Sequence, residues 1–212
     1  MLAPEETERG RAEQKPGNGQ RDRNLFVMQA HRGRSLHFDL GIEVGGNLKM
    51  WHLKEMPSAD PDETSTATLS GEQPLKQVDY EGVVKRGARA GTFMVWDRGT
   101  VSDVSGGDGH SISRALKNGY MELELQGQRM RGAYSLVRIA KGAEQVWLLR
   151  KLPDEWAGES WSKDWNSWSV ASGRTLAEIE EDDRRSEQQV TARQPAMRFG
   201  RAFPIGRMAH HT

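Results

Sequence analysis

The sequence predicts a mainly β protein, a small closed or partly open β-barrel with one or two short helices and disordered termini. Short apolar segments recur along the chain, and turns rich in Gly and Asn separate them. A length of 212 residues suits one compact core with tails better than two domains. We expect a disordered leader over residues 1–23, a barrel domain over 24–183 and an Arg-rich flexible tail over 184–212.

The clearest strand signal begins at Leu36. Apolar Leu36, Phe38 and Leu40 alternate with polar His37 and Asp39. A period of two is typical of a half-buried strand, so one face is predicted to enter the core while the other carries chemistry. Further strands are predicted over residues 48–53, 92–96, 121–125, 134–139 and 146–149.

One short helix is predicted near the C-terminus. Thr175 and Glu178 have the spacing of a capping box, in which each side chain binds the other residue's backbone N–H. Leu176 and Ile179 supply a small apolar stripe for the helix. The segment beyond Glu180 has no core pattern and is predicted to be mobile.

Composition restricts the chemistry of any site. The chain contains no Cys, which excludes disulfides and thiolate zinc sites and leaves His, Asp, Glu and Gln as candidate metal ligands. No apolar stretch approaches the length of a bilayer span, and no secretory signal is present. These absences predict a cytoplasmic protein with no membrane role.

Charge is unevenly distributed although the formal net charge is zero. After residue 183 the chain carries six Arg and one Glu, about +5, whereas the central region is correspondingly acidic. A large basic face in the barrel is therefore not predicted. The tail either holds DNA phosphates or is an inert end, and the sequence leaves both alternatives open.

The most informative residues are His31, His37 and Asp39. Residues two apart on a strand lie about 6.6 Å apart and point the same way, so His37 and Asp39 stand side by side. His31 is expected to converge on them from the preceding turn. Imidazole and carboxylate groups suit a divalent metal such as manganese or zinc. The simpler alternative is a set of solvated side chains.

This stretch, from Gln29 through His31, His37 and Asp39 to Glu43, resembles the segment that opens the 3′-phosphoesterase domain of bacterial and archaeal DNA ligase D. The resemblance continues in order through residues 25–180. It is carried by segments such as 48–51, 57–61, 79–82, 91–100, 119–127, 131–138, 147–151 and 172–179.

The resemblance implies a β-barrel that processes DNA 3′ ends in end-joining repair, removing a terminal ribonucleoside and a 3′-phosphate. It implies Mn²⁺, or another divalent metal, with His31 and Asp39 as ligands. His37 would contact the scissile phosphate, where it stabilises developing charge or protonates the leaving oxygen. The alternative is that His37 only binds a neighbouring backbone group.

Several positions depart from the family pattern. Gln73 stands where the resemblance implies a third metal-binding His, and Gln77 where it implies a Tyr. Gly41 replaces an Arg that would clamp phosphate. An amide oxygen is a weaker ligand than an imidazole, so a metal held by His31, Asp39 and Gln73 is expected to bind weakly.

Two further basic positions of the family also differ. The expected Lys falls on Glu55, with Lys54 beside it as a substitute, and a later basic position falls on Ser65. Arg34 and Lys54 are therefore the predicted contacts to phosphate or DNA.

These observations support three hypotheses. The first is a metal-dependent 3′-phosphoesterase acting on DNA 3′ ends or a primer-template. The second is a catalytically impaired relative that binds DNA ends or repair partners. The third is a β-barrel with no nucleic-acid role. The chain is too short for polymerase and ligase domains, so we expect a stand-alone monomer whose repair partners act in trans.

Overall fold

The computed structural model describes residues 24–106, 111–158 and 168–193, with side chains described as far as residue 189. The predicted leader and the tail beyond residue 193 lie outside the described residues. The strands are β1 (Asn24–Arg32), β2 (Leu36–Val44), β3 (Asn47–Leu53), β4 (Ser65–Pro74), β5 (Gly82–Val84), β6 (Gly91–Asp103), β7 (Tyr120–Gln126), β8 (Arg131–Lys141) and β9 (Gln145–Lys151). The helices are α1 (Ile112–Asn118) and α2 (Leu176–Arg193), and a 3₁₀ turn spans Leu75–Asp79.

The strands form a closed antiparallel barrel. The sheet order is β1-β2-β3-β4-β9-β8-β7-β6, and β1 pairs with β6 to complete the ring. Strand β5 adds to β6 outside the ring. Closure removes the unpaired edges that an open sheet would expose. The predicted β-barrel is confirmed, in its closed form.

The barrel interior is filled by large apolar side chains from alternate strand positions. Trp51, Trp96 and Trp147 are completely buried there, and Phe38 packs against Trp96 with ring centroids 6.0 Å apart. Burying a side chain of this size contributes about 1.5–3 kcal/mol each to folding. Most of the tryptophans that the structure describes therefore serve as core.

A second apolar cluster covers part of the outer surface of the barrel. It contains Val27, Leu48, Met50, Val78 and Val95. Val78 belongs to the 3₁₀ turn, which thereby packs over the outer faces of β1, β3 and β6. Strands β1 and β2 are consequently buried on both faces along most of their length.

The predicted strands are all present: the one that begins at Leu36 is β2, and each of the other five lies within a longer observed strand. Strands β1, β4 and β5 and helix α1 were not predicted. Strand β1 carries a continuous apolar run because both of its faces are covered, so it shows no alternation. Strand β4 is mostly polar and partly exposed, which gives a weak signal.

Helix α2 begins at the predicted capping box. The Thr175 N–H donates to Glu178 Oε2 at 2.8 Å, and the Glu178 N–H donates to Thr175 Oγ1 at 3.2 Å. Ile179 is buried, and Glu180 accepts a 2.7 Å hydrogen bond from Thr92. The helix then continues past residue 183 to Arg193, so it is longer than predicted. None of the helices in the described ranges is long and apolar enough to cross a membrane.

Candidate metal centre

Cross-strand register brings the predicted site residues together on the outer face of the barrel. His31 lies directly opposite His37 in the β1–β2 pair, and Asp39 lies opposite Gln29. His31 is therefore a strand residue of β1, and its predicted placement in a turn was wrong. The connection between the strands is only residues 33–35, so the β1 ladder extends through His31.

The three side chains form a tight group. His31 Nδ1 lies 3.4 Å from Asp39 Oδ2, and His37 Nε2 lies 4.0 Å from the same oxygen. One candidate ligand atom from each residue lies within 4.8 Å of the others. His31 is 5% exposed and Asp39 is 8% exposed. The geometry fits one small cation between two imidazoles and a carboxylate.

Backbone contacts indicate which imidazole nitrogens can bind a metal. His31 Nε2 lies 3.4 Å from the Ala90 carbonyl oxygen, and His37 Nδ1 lies 3.2 Å from the Ser35 carbonyl oxygen. A carbonyl can only accept, so these nitrogens carry the protons when each imidazole is neutral. The other nitrogen of each ring then presents a lone pair toward Asp39. This is the orientation that a carbonyl contact imposes on metal-binding histidines.

Unpaired buried atoms also fit a cation. Within the described residues, His31 Nδ1 and Gln29 Oε1 are both buried and no hydrogen-bond donor contacts them. The Gln29 amide nitrogen donates to the carbonyls of Gln77 at 3.2 Å and Tyr80 at 3.1 Å, which fixes the orientation of the side chain. Buried acceptors without a donor are costly. A divalent ion would satisfy His31 Nδ1 and the Asp39 carboxylate together.

Electrostatics keep Asp39 and His37 in the protonation states that a metal requires. Burial acts to raise the pKa of Asp39, but the imidazoles of His31, His37 and His52 outweigh it and hold the pKa below its usual value. Burial lowers the pKa of His37, against the pull of the Asp39 carboxylate. Asp39 therefore stays ionised and His37 stays neutral near neutral pH.

A further histidine at the site was missed by sequence reasoning. His52 on β3 lies opposite Asp39, and its Nδ1 is 3.3 Å from Asp39 Oδ1. Its ring centroid is 4.3 Å from that of His37. The signal was present, because Trp51 and Leu53 enter the core and the residue between them must face outward. His52 can donate to the oxygen that His31 and His37 leave free.

The cluster opens into a cavity of about 680 Å³. The predicted phosphate contact Arg34 and the predicted metal ligand Gln73 line it, and so does Arg89. Gln73 Oε1 accepts a 2.8 Å hydrogen bond from Arg89 Nη1, so the amide oxygen of Gln73 already binds the Arg89 guanidinium.

Lys54 lies elsewhere. It lines a neighbouring cavity of about 590 Å³ together with Glu55 and Ser65, and the two cavities share His52.

The position of the absent arginine is filled by packing. A Cβ on Gly41 would lie 3.0 Å from both Met50 Sδ and Val27 Cγ1. Both neighbours belong to the outer apolar cluster. A larger side chain at position 41 would have to displace the flexible end of Met50.

Fold and site define a class of protein, a closed β-barrel domain with a His–His–Asp group that could hold a metal ion. Comparison with known families gives the particular assignment. The family model for the DNA Ligase D 3′-phosphoesterase domain matches residues 29–138, and the chain belongs to this family.

Curated relatives agree with the assignment. The chain is 30% identical over 181 residues to "Multifunctional non-homologous end joining protein LigD" of Pseudomonas aeruginosa, covering 82% of this chain and 20% of the relative. It is 32% identical over 145 residues to "Multifunctional non-homologous end joining DNA repair protein LigD" of Mycobacterium tuberculosis, covering 66% and 17%. The chain thus spans about a fifth of the length of the curated relatives that it matches.

Proposed function

We propose that this domain hydrolyses phosphoesters at DNA 3′ ends with a divalent cation, Mn²⁺ by preference, held by His31, His37 and Asp39. The observation that carries the proposal is the convergence of the three candidate ligand atoms within 4.8 Å of one another. His31 Nδ1 is buried there, and none of the residues that the structure describes donates a hydrogen bond to it. His37 serves here as a ligand, in place of the phosphate contact expected from the sequence, because its Nε2 faces Asp39 Oδ2. Gln73 is not part of this ligand set.

In the proposed reaction, water attacks the phosphorus of a terminal 3′-phosphate. The bond from phosphorus to the sugar 3′ oxygen breaks, that oxygen takes up a proton, and inorganic phosphate leaves. The cation supplies neutralisation of the phosphoryl charge. His31, His37 and Asp39 hold it in place, and Arg34 at the cavity lining adds positive charge for the phosphate.

The same site would act earlier on a strand that ends in a ribonucleotide. Water attacks the phosphorus that joins the terminal ribonucleoside to the strand. The bond to the ribose 5′ oxygen breaks, the ribonucleoside leaves with a 5′-hydroxyl, and a 3′-phosphate remains for the second step. The substrate in this proposal is a DNA 3′ end or primer-template, and polymerase and ligase activities act on the product in trans.

A specific observation favours a second candidate function. Gly41, Gln73 and Gln77 lack the basic, imidazole and phenol groups that the family resemblance implies. A domain without these groups would bind DNA ends or repair partners without hydrolysing them.

The test incubates the purified protein with Mn²⁺ and a primer-template that ends in a 3′-phosphate or a single ribonucleotide. Turnover that disappears in Asp39→Ala, and Mn²⁺ binding by calorimetry that disappears with it, supports the enzyme. Asp60→Ala is the matched control, because Asp60 is exposed in the loop after β3. No turnover by the wild-type protein, with DNA affinity retained, would support the binding module instead.

A further inference from the structure

We infer that Arg89, positioned by Gln73, is the guanidinium that binds the terminal phosphate in this cavity. The inference rests on the proposed function, since it takes a phosphate at a DNA 3′ end as the ligand. Arg89, which lies in the turn before β6, makes the phosphate contact in this inference. Gln73 on β4 holds the arginine in place through its neutral amide.

The backbone links Arg89 directly to the metal centre. Arg89 lies in a turn closed by a 3.1 Å hydrogen bond from the Ala90 N–H to the Gly87 carbonyl. The Ala90 carbonyl in turn lies 3.4 Å from His31 Nε2. One turn therefore orients the His31 imidazole and carries the arginine beside it.

The Arg89 side chain is held at two points. Its Nη1 donates to Gln73 Oε1 at 2.8 Å, and its Cζ lies 4.7 Å from the centroid of the Phe93 ring. The Phe93 ring stacks on His31, with centroids 3.8 Å apart. A guanidinium fixed before the ligand arrives loses little conformational entropy on binding, which favours affinity.

The charge of Arg89 is available to a ligand. Among the residues that the structure describes, Arg89 forms no ion pair with a carboxylate, whereas Arg32, Arg98 and Arg174 each do. Gln73 is neutral and takes up one N–H donor of the guanidinium. Arg89 lines a cavity that it shares with His31, His37 and Asp39, so its charge is close to any ligand bound there.

The arginine implied at position 41 and Arg89 would reach the cavity from different parts of the fold, a strand and a turn. Gly41 belongs to β2, and its Cβ position is closed by Met50 and Val27. Arg89 enters from the turn that precedes β6. Gln73, which stands where the family resemblance implies a His, is consistent with a phosphate contact from Arg89. Its neutral amide oxygen accepts a hydrogen bond from the guanidinium and does not neutralise the positive charge.

The chemistry of the contact favours a phosphomonoester. A terminal phosphate carries about two negative charges and three acceptor oxygens, more than an internal phosphodiester offers. A guanidinium recognises such a group through paired, charge-assisted hydrogen bonds. The cavity should therefore distinguish a DNA strand that ends in 3′-phosphate from one that ends in 3′-hydroxyl.

The experiment measures fluorescence anisotropy of two labelled primer-templates, identical except for a 3′-phosphate or a 3′-hydroxyl. It uses the metal-free protein in chelator, so that binding is measured without turnover. The proteins are wild type, Arg89→Ala, Arg89→Lys, Gln73→Ala and the matched control Arg86→Ala. Arg86 is an exposed arginine near Arg89 in the same loop, so its loss reports the general effect of removing one positive charge.

Arg89→Ala is expected to weaken binding of the 3′-phosphate strand about 10- to 100-fold, beyond any loss for the 3′-hydroxyl strand. Arg86→Ala should weaken both strands equally. Arg89→Lys should restore only part of the discrimination, because an ammonium lacks the paired donors. Gln73→Ala should lose less than Arg89→Ala and add nothing to it in the double variant.

The inference would be overturned if Arg89→Ala lost the same affinity for both strands. It would also be overturned if Arg89→Ala still preferred the 3′-phosphate strand over the 3′-hydroxyl strand as strongly as wild type does. Circular dichroism melting confirms that each variant is folded. Mn²⁺ calorimetry on Arg89→Ala separates this inference from the proposed function. Metal binding retained while discrimination is lost supports a phosphate contact. If Arg89→Ala lost Mn²⁺ affinity as strongly as it lost affinity for the 3′-phosphate strand, Arg89 would only support His31, and the inference would be overturned.

Discussion

Two buried carboxylates of the barrel, Asp97 and Asp39, have opposite surroundings. Asp97 on β6 is completely buried, and its oxygens accept four backbone N–H groups, from Arg98 at 2.9 Å, Gln128 at 2.9 Å, Arg129 at 3.1 Å and Met130 at 2.6 Å. Asp39 on β2 accepts no backbone N–H from the described part of the chain. Its neighbours are the imidazoles of His31, His37 and His52.

The difference separates a structural carboxylate, Asp97, from a candidate metal ligand, Asp39. The hydrogen bonds to Asp97 fix the turn between β7 and β8, and Arg129 from that turn lies over the rings of Trp96 and Trp168. Burial lowers the pKa of Arg129 to about 10, which leaves it charged at neutral pH. All the donors around Asp97 are supplied by the fold. Asp39 instead faces three imidazoles and an open cavity, so its charge is available to a cation.

The largest expected effect follows from Asp39→Asn. The substitution removes the charge between the two imidazoles, and Mn²⁺ affinity should fall by about 100-fold or more, since even changes one shell further from a metal cost about 10- to 100-fold. The melting temperature of the metal-free protein should change little. Isothermal titration calorimetry and thermal melting measure the two quantities. A metal affinity equal to that of wild type would remove Asp39 from the site.

Asp97→Asn should show the reverse pattern. An amide has one acceptor oxygen in place of two, so backbone N–H groups of the turn lose their partner at a cost of about 1–3 kcal/mol each. Denaturant unfolding should report the lower stability, while Mn²⁺ affinity of the folded protein stays unchanged. If Asp97→Asn lost metal affinity without losing stability, the comparison between the two carboxylates would fail.

A smaller effect is expected at His52, which donates to Asp39 Oδ1 and leaves Oδ2 for the ligand position. His52→Leu removes the donor and should weaken Mn²⁺ binding about tenfold. His52→Asn places an amide N–H at a similar distance and should recover most of the affinity. The side chain of His52 is 37% exposed, so neither change should unfold the barrel. Equal affinities in both variants would rule out an orienting role.

The smallest effect concerns the pH dependence of stability. The pKa of His37 is lowered in the folded protein, so below about pH 6.5 the unfolded chain binds a proton first and stability falls with acidification. The lowered pKa of Asp39 adds a second loss, below about pH 4. His37→Gln should remove the first decline and leave the second. Chemical denaturation of the metal-free protein from about pH 8 down to about pH 3, a range that spans both reference values, measures both declines.

Much of this architecture could be predicted from the sequence because the strands around the core alternate clearly. Strand β7 buries Met121, Leu123 and Leu125 at every second position, and its prediction was confirmed. Strand β1 escaped prediction because the outer apolar cluster covers its second face, which replaces alternation with a continuous apolar run.

Site residues were predictable only where they share a local pattern. His37 and Asp39 lie two apart on one strand, so their shared face follows from the period alone. The contact between Arg89 and Gln73 depends on the path of a loop and on the register of β4, which no local pattern encodes. Gly41 is similar, since its packing against Met50 needs the β2–β3 register.

The closing pair of the barrel has a consequence for biosynthesis. His31 is held by Ala90 and Phe93, which lie beside or within the strand that seals the ring against β1. A nascent chain that has emerged from the ribosome only as far as β5 carries His31, His37 and Asp39 but lacks the support that orients the first imidazole. Tight capture of Mn²⁺ by the proposed site should therefore begin only once β6 has docked against β1, before β7, β8 and β9 complete the ring.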